Sequence, residues 1–362
     1  MTETVILGGG QTGRGFIGRL LYESGIPFVF LDKNPNLINA LNQKGSYSIS
    51  FFSSKNPIRV NDIEAYYAYS PQASEAIQNA KNIFISVGSE NLEAAARYLL
   101  ENKVCAKNII LCENAITPSR VVHDIFKKEI NISAVNFVDT AIFCTTIKAR
   151  NDPADILSEE YHKLPFDAGK VKNPFFKAPF FEPELNFPLL LMRKLCTYNA
   201  ASAIITYVGW NLGYSILAEA ASDPTIQMLL RNYYSAINNA ICSKYGISSD
   251  IQREFAKNSL KKFSNPNIVD SIERNARQPL KKLGPDERIA FPMKLLLENN
   301  FNTQPLCKTA AAAILYGEQN ESDWVKRFGI GQAGMVFSMI SKINDKSMTE
   351  MINYEYGNLK KI

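Results

Sequence analysis

Histidine is nearly missing from this sequence: His123 and His162 are the only two in 362 residues. Six cysteines (Cys105, Cys112, Cys144, Cys196, Cys242 and Cys307) are scattered with no Cys-x-x-Cys pair. Together they leave too few ligands for a zinc site, which excludes alcohol oxidation through a metal-polarised oxygen. The cysteines read instead as reduced, buried thiols. Long apolar runs are missing too, and Val5-Ile6-Leu7 is far shorter than the core of a signal peptide, so a cytoplasmic protein is expected. There is no block of like charge and the formal net charge is only +5. Attraction to nucleic acid or membrane is therefore not expected, which leaves small molecules, anionic ones included, as partners. Internal repeats and low-complexity segments are also lacking.

What is present begins at once. Thr4 to Leu7 is an apolar run that ends in Gly8-Gly9-Gly10-Gln11-Thr12-Gly13 and passes into a helical pattern through Leu20 and Leu21. A second run, Phe28-Val29-Phe30-Leu31, closes on Asp32, nineteen residues beyond Gly13. The order is strand, tight turn, helix, strand, carboxylate. Gly8, Gly10 and Gly13 fill the three positions of a dinucleotide-binding fingerprint: the turn, the approach of backbone to pyrophosphate, and the helix–strand contact. The opening amides of the helix, from Gln11 and Thr12 onward, would face the pyrophosphate. Asp32 would take the ribose hydroxyls and repel a 2′-phosphate, which favours NAD over NADP; Lys33 beside it weakens that preference slightly.

Downstream, a short helix around Leu37 and Leu41 precedes residues 46–70, which alternate like strands and read as an elaboration on the nucleotide domain. The strand–helix rhythm then resumes with Ile83 to Val87, a helix around Leu92 to Leu100, Ile109 to Cys112, a helix from Thr117-Pro118, and Ala134 to Val138. Mostly apolar strands alternating with helices predict a mostly parallel sheet covered on both faces, an α/β fold of Rossmann type. Ligands sit beyond the carboxyl ends of such strands, which singles out Val87-Gly88-Ser89 and Cys112-Glu113-Asn114. Asn114 reads either as a polar contact to cofactor or substrate or as a turn or capping asparagine.

Six of the 17 prolines (Pro153, Pro165, Pro174, Pro179, Pro183 and Pro188) fall between 151 and 188 among phenylalanines. This stretch is expected to be an extended connector, its aromatics used for packing. Residues 1–188 are thus the expected NAD-binding domain with extra strands, and 189–362 a mainly helical domain. Its predicted helices run over Leu189 to Ile205, Thr225 to Tyr245, Ile251 to Phe263, Met293 to Asn299, Lys308 to Leu315 and Gln332 to Ile343. On the first of these, at 100° per residue, Lys194, Ser202 and Asn199 lie at about 0°, 80° and 140°, one broad face. A basic stretch with Arg274, Arg277, Lys281 and Lys282 reads as a solvated surface or as a phosphate or carboxylate site.

Four segments together resemble the polyol-specific long-chain dehydrogenases: Gly8 through Gly18, Cys112-Glu113-Asn114, Arg193-Lys194-Leu195 with Asn199, and Arg277-Gln278-Pro279-Leu280-Lys281-Lys282-Leu283. They occur in the family's order across both expected domains. The resemblance implies an NAD-dependent, metal-free oxidoreductase that interconverts a sugar alcohol phosphate and a ketose phosphate. It also implies a tendency towards monomers or small homo-oligomers. It assigns Lys194 as acid/base, and Asn199 and Asn114 as the groups that hold the substrate oxygen. Ser202 stands where the family has histidine, and Phe143 and Cys144 stand where it has an aspartate–arginine pair. The alternatives are a dehydrogenase of a free polyol or sugar acid and a non-catalytic NAD-binding homologue; retention of Lys194, Asn199 and Asn114 speaks against the latter.

The implied chemistry sets a requirement on Lys194. A lysine of ordinary pKa, about 10.4, is protonated at neutral pH and cannot accept a hydroxyl proton. Burial or a cationic neighbour must bring it to roughly 7–8. Ser202 can hydrogen-bond a polyol hydroxyl without carrying charge. Arg274, Arg277, Lys281 and Lys282 are the candidates to bind a substrate phosphate.

Overall fold

The structure, a computed structural model, describes residues 2–53, 56–114, 117–149, 151–172 and 175–361. It divides into two compact units, Met1–Leu191 and Met192–Ile362. Pro174 lies outside the described residues.

The first unit is built on a six-stranded sheet of β1 (Thr4–Leu7), β2 (Val29–Asp32), β5 (Glu64–Tyr67), β6 (Asn82–Ile85), β7 (Asn108–Leu111) and β8 (Asn136–Asp139), in the order β5-β2-β1-β6-β7-β8. Every pairing is parallel. Taken in chain order the sheet reads 3-2-1-4-5-6, the doubly wound dinucleotide-binding arrangement. Period-two alternation explains how apolar strands serve two cores. Val5 and Leu7 pack with Leu31, Ile83 and Ile109 on one face, while Ile6 packs with Phe30, Phe84 and Ile110 on the other.

The sequence reading of residues 46–70 as one elaboration is corrected here. β3 (Ser46–Phe51) and β4 (Ile58–Asn61) do leave the main sheet and form a second one with β9 (Thr146–Lys148) and β10 (Ile156–Ser158), in the order β4-β3-β10-β9. β5, however, is the third strand of the main sheet. It lies at the edge, where alternate positions can stay polar, so its Glu-Ala-Tyr-Tyr sequence lacks the apolar run of its neighbours. The proline-rich stretch is likewise more than a connector. It supplies β10, and β11 (Leu164–Asp167) pairs with β12 (Phe181–Glu184) as a parallel ribbon. Its phenylalanines do pack: the Phe181 ring stacks 6.2 Å from Phe84 and lies 5.2 Å from Phe166.

The second unit is helical around a single core. A continuous helical run that starts in the last residues of the first unit covers Phe187–Lys194, Leu195–Asn199 and Ala200–Asn211. The longest single helix is Pro224–Tyr245, started by Asp223, whose carboxylate accepts from the Thr225 and Ile226 amides, and ended by Gly246 in the left-handed conformation. Two helices with clear sequence signals lie outside those predicted above. Pro71–Asn79 follows the cap Ser70, and Lys346–Leu359 follows the cap Asp345 with Met348, Ile352, Tyr356 and Leu359 on its buried face. All six cysteines are free, but Cys105 is exposed and Cys242 half-buried, which corrects the expectation that all six are buried. Among the described residues no helix is long and apolar enough to cross a membrane.

Candidate active site

The glycine turn after β1 is built for glycine at two positions. Gly8 has φ +100°, and a Cβ there would lie 2.1 Å from the Ser86 carbonyl oxygen; one on Gly13 would lie 2.0 Å from the Gly8 oxygen. Gly10 differs: a Cβ there meets nothing within 4 Å, so its backbone faces open space. This is the arrangement a pyrophosphate needs, two glycines closing the turn and one leaving room. Gln11 and Thr12, half-buried, open the helix beside it.

Asp32 ties the turn to β2. Its Oδ2 accepts the Gly9 amide at 2.8 Å and its Oδ1 the Asn34 amide at 2.8 Å. Each oxygen keeps acceptor capacity for a hydroxyl. A cavity of about 240 Å³ opens at the carboxyl ends of the strands, lined by Gly8, Gly10, Asp32, Val87, Tyr69 and Tyr98 among others. Glycine backbone, a carboxylate and aromatic walls fit the adenosine half of NAD. A larger cavity, about 1000 Å³, lies at the opposite ends of the strands around Thr4, Asn82 and Asn108, away from the glycine turn.

Gly88 follows Val87 in the turn after β6. Its amide and that of Val87 both donate to Glu113 Oε1, at 2.7 and 2.6 Å. Glu113 is buried and latches the turn after β6 to the end of β7; the sequence reading gave it no role. Arg14 was missed as well. It is buried, its Nη1 donates to Gly9 O, and its Nε and Nη2 reach Ala154 O at 2.9 Å and Pro153 O at 3.1 Å, which pins the 153–154 loop to the glycine turn. Asn114, next to Glu113, is exposed. Phe143 lies beside the Tyr161 ring at 6.1 Å, and Cys144 is buried with its thiol 3.4 Å from Ser158 Oγ.

In the second unit Lys194 is only 7% exposed. Burial above all, and then the charges of Lys262 and Arg288, bring its pKa down to about 7. The geometry of the helix that carries it corrects the uniform 100° spacing. Leu195–Asn199 is a π-helical segment: the Ala200 amide bonds to Leu195 O, five residues back. One extra residue in the turn makes a five-residue step rotate about as far as an ordinary four-residue step. Lys194, Asn199 and Ser202 then lie at about 0°, 40° and −20°, so the broad face becomes a narrow one. Asn199 and Ser202 are half-buried on it.

The four basic candidates separate. Arg274 is engaged by buried Asp270, with Nε and Nη2 at 2.9 and 2.8 Å from its two oxygens. Arg277 is exposed, 3.6 Å from Glu273, and Lys281 is exposed too. Lys282 is largely withdrawn from water: its ammonium donates to Asn275 O and stands 5.9 Å from the centroid of the Tyr207 ring. Burial first, then Arg288, bring its pKa to about 7, with Lys281 lowering it further and Glu287 opposing. Arg288, which the sequence reading passed over, is thus a cationic neighbour of both Lys194 and Lys282.

Residues 2–177 match the mannitol dehydrogenase Rossmann domain, and residues 189–333 match the mannitol dehydrogenase C-terminal domain. The chain belongs to the mannitol dehydrogenase family. It is accordingly an oxidoreductase with an NAD-type Rossmann domain. A mannitol-1-phosphate 5-dehydrogenase of Streptococcus pneumoniae (strain Hungary19A-6) is 27% identical over 97% of this chain and 99% of its own length. That of strain CGSP14 is 28% identical over 90% of this chain and 91% of its own. The fold is shared with Pseudomonas fluorescens mannitol 2-dehydrogenase, solved with NAD and D-mannitol: TM-score 0.78, 13% identity, covering 99% of this chain and 92% of that one. It is shared also with a substrate-free D-sorbitol dehydrogenase: TM-score 0.72, 11% identity, 99% and 93% coverage.

Proposed function

We propose that this family member is an NAD-dependent, metal-independent dehydrogenase that interconverts a sugar alcohol phosphate and a ketose phosphate, of the mannitol 1-phosphate and fructose 6-phosphate type. It works on a small molecule, as a monomer or small homo-oligomer in the cytoplasm. The observation that carries the reading is Lys194: a buried amine whose pKa of about 7 lets it hold or release a proton at neutral pH. The hydride acceptor is the nicotinamide when the cofactor is bound. Lys194 takes the hydroxyl proton during oxidation and returns it during reduction. Asn199, on the same helix face, and Asn114 donate hydrogen bonds to the substrate oxygen as negative charge develops on it. With the amine carrying the proton, the reaction needs no Lewis acid.

For the phosphate, Lys282 is the candidate the geometry favours, since Arg274 already holds Asp270 and Arg277 and Lys281 are exposed. A free polyol or sugar acid is the second reading, favoured by the apolar Phe143 and Cys144 and the uncharged Ser202. Reduction of fructose 6-phosphate and of free fructose, each with NADH and NADPH and followed at the nicotinamide absorbance, decides between them. The proposal requires NADH, a clear preference for the phosphate, and loss of that preference in Lys282→Met. Equal rates on the two sugars refute the phosphate reading.

A further inference from the structure

The alignment of Lys194 with Asn199 depends on one π turn, and π turns need support because their backbone bonds depart from the helical pattern. The Ala200 amide, which in an α-helix would close on Cys196 O, bonds instead to Leu195 O. The Cys196 carbonyl accepts the hydroxyl of Tyr233, from the helix Pro224–Tyr245. Tyr233 is fully buried, and burial pushes its pKa well above the ordinary phenol value, so it remains a donor. The next residue of the turn is anchored as well. Thr197 Oγ1 accepts Gln252 Nε2 at 3.1 Å, while Gln252 Oε1 accepts Arg193 Nε at 2.8 Å. Gln252 is itself fully buried, and the Arg193 guanidinium lies over the Phe255 ring at 4.4 Å.

The first unit uses the same device. Its π-helical segment, Gly13–Gly18, presents Arg14 O to the Tyr47 hydroxyl at 3.0 Å and Gly15 O to Ser158 Oγ at 3.1 Å. Both π segments among the described residues therefore place a buried tyrosine hydroxyl on a carbonyl within the turn.

We propose that Tyr233, supported by Gln252 on the next residue of the turn, is a positioning residue for the reaction: its hydroxyl on the Cys196 carbonyl holds the π turn that puts Lys194, Asn199 and Ser202 on one face. This rests on the reading of Lys194 as acid/base and Asn199 as oxygen-binding group. Without the hydroxyl, the turn relaxes towards α-helical spacing and the Lys194 and Asn199 side chains diverge.

The test compares Tyr233→Phe with Tyr234→Phe in the full chain. Tyr234 is also buried and its hydroxyl lies 3.0 Å from Ser259 Oγ, so its removal costs a buried hydrogen bond made to another helix rather than to a carbonyl of the turn. Tyr233→Phe is expected to cut kcat about ten- to a hundredfold, the cost of misplacing a reacting group by about an ångström. NADH binding should stay unchanged, and the pH at which kcat titrates should move upward as the amine regains water. Tyr234→Phe is expected to lower the Tm alone. Equal kcat and pH profiles in the two variants overturn the proposal. Should Tyr233→Phe not fold, Thr197→Val removes the neighbouring anchor and is expected to lower kcat in the same direction; an unchanged kcat and pH profile there overturns it too. If Lys194→Ala is itself active, the underlying functional reading has failed; if Lys194→Ala is dead while Tyr233→Phe behaves like Tyr234→Phe, only the positioning role has.

Discussion

Replacing Lys262 by methionine removes one of the cations that lower the Lys194 pKa while keeping a long side chain in place. Burial is the larger cause of the depressed pKa, so the amine will not return to its ordinary value. The share lost is that of one like charge: at an effective dielectric constant of about 20–80, such a screened repulsion is on the order of 1 kcal/mol. Taking about 1 kcal/mol, and about 1.4 kcal/mol per pKa unit, the pKa rises by about 0.7. The sign follows from the proton's direction. Alcohol oxidation needs the neutral amine, so its kcat rises with pH through about 7; ketone reduction needs the ammonium, so its kcat falls through the same value. In Lys262→Met both limbs move up together. At pH 7 the neutral fraction drops from about one half to about one sixth, and oxidation slows about threefold, recovering above about pH 9. The assay is kcat against pH in both directions under saturating substrates, with exposed Lys261→Met as the control. A limb that stays in place, moves down, or shifts in one direction of reaction only would refute the electrostatic reasoning.

Three further outcomes are expected. Gly13→Ala puts a methyl 2.0 Å from the Gly8 oxygen, so the turn must open and NADH affinity should fall at least about tenfold in a fluorescence titration; unchanged affinity would mean the turn does not hold the cofactor. Asp32→Ala removes both the acceptor for the Gly9 amide and the negative charge, so the preference for NADH over NADPH should narrow by about tenfold or more, read as the ratio of kcat/KM values. Ser202→His leaves the reaction intact and is expected to keep or raise kcat/KM on the polyol phosphate, since imidazole is a stronger anchor for a hydroxyl; total loss of activity would show a differently shaped pocket.

The nucleotide-binding half was readable because its chemistry is local. Gly8, Gly13 and Asp32 lie within one strand–helix–strand unit, and each is required by a backbone conformation or contact that the spacing alone implies. β5 was harder to place: an edge strand needs only Ala65 inside, so nothing in its sequence distinguishes it from the strands of the second sheet. The missed Glu113 and Arg14 act across distance in the chain, on Val87 and Gly88 and on Pro153 and Ala154, and no spacing rule reaches that far. On the helix of Lys194 the residue types were legible but their angles were not. A π turn has no signature in Leu-Cys-Thr-Tyr-Asn; what supports it, Tyr233 and Gln252, comes from other helices. The basic stretch shows the same limit. Only the fold reveals that Arg274 is committed to Asp270 while Lys282 is withdrawn from water.

The central claim is that the Lys194 amine moves the substrate proton. It is tested most directly by single-turnover hydride transfer from NADH to fructose 6-phosphate in Lys194→Ala, with NADH binding measured on the same sample. The account predicts a rate lower by about 10²–10⁴-fold, the usual worth of a general acid/base, with NADH affinity unchanged. A variant that binds NADH normally and transfers hydride at close to the parent rate would contradict it.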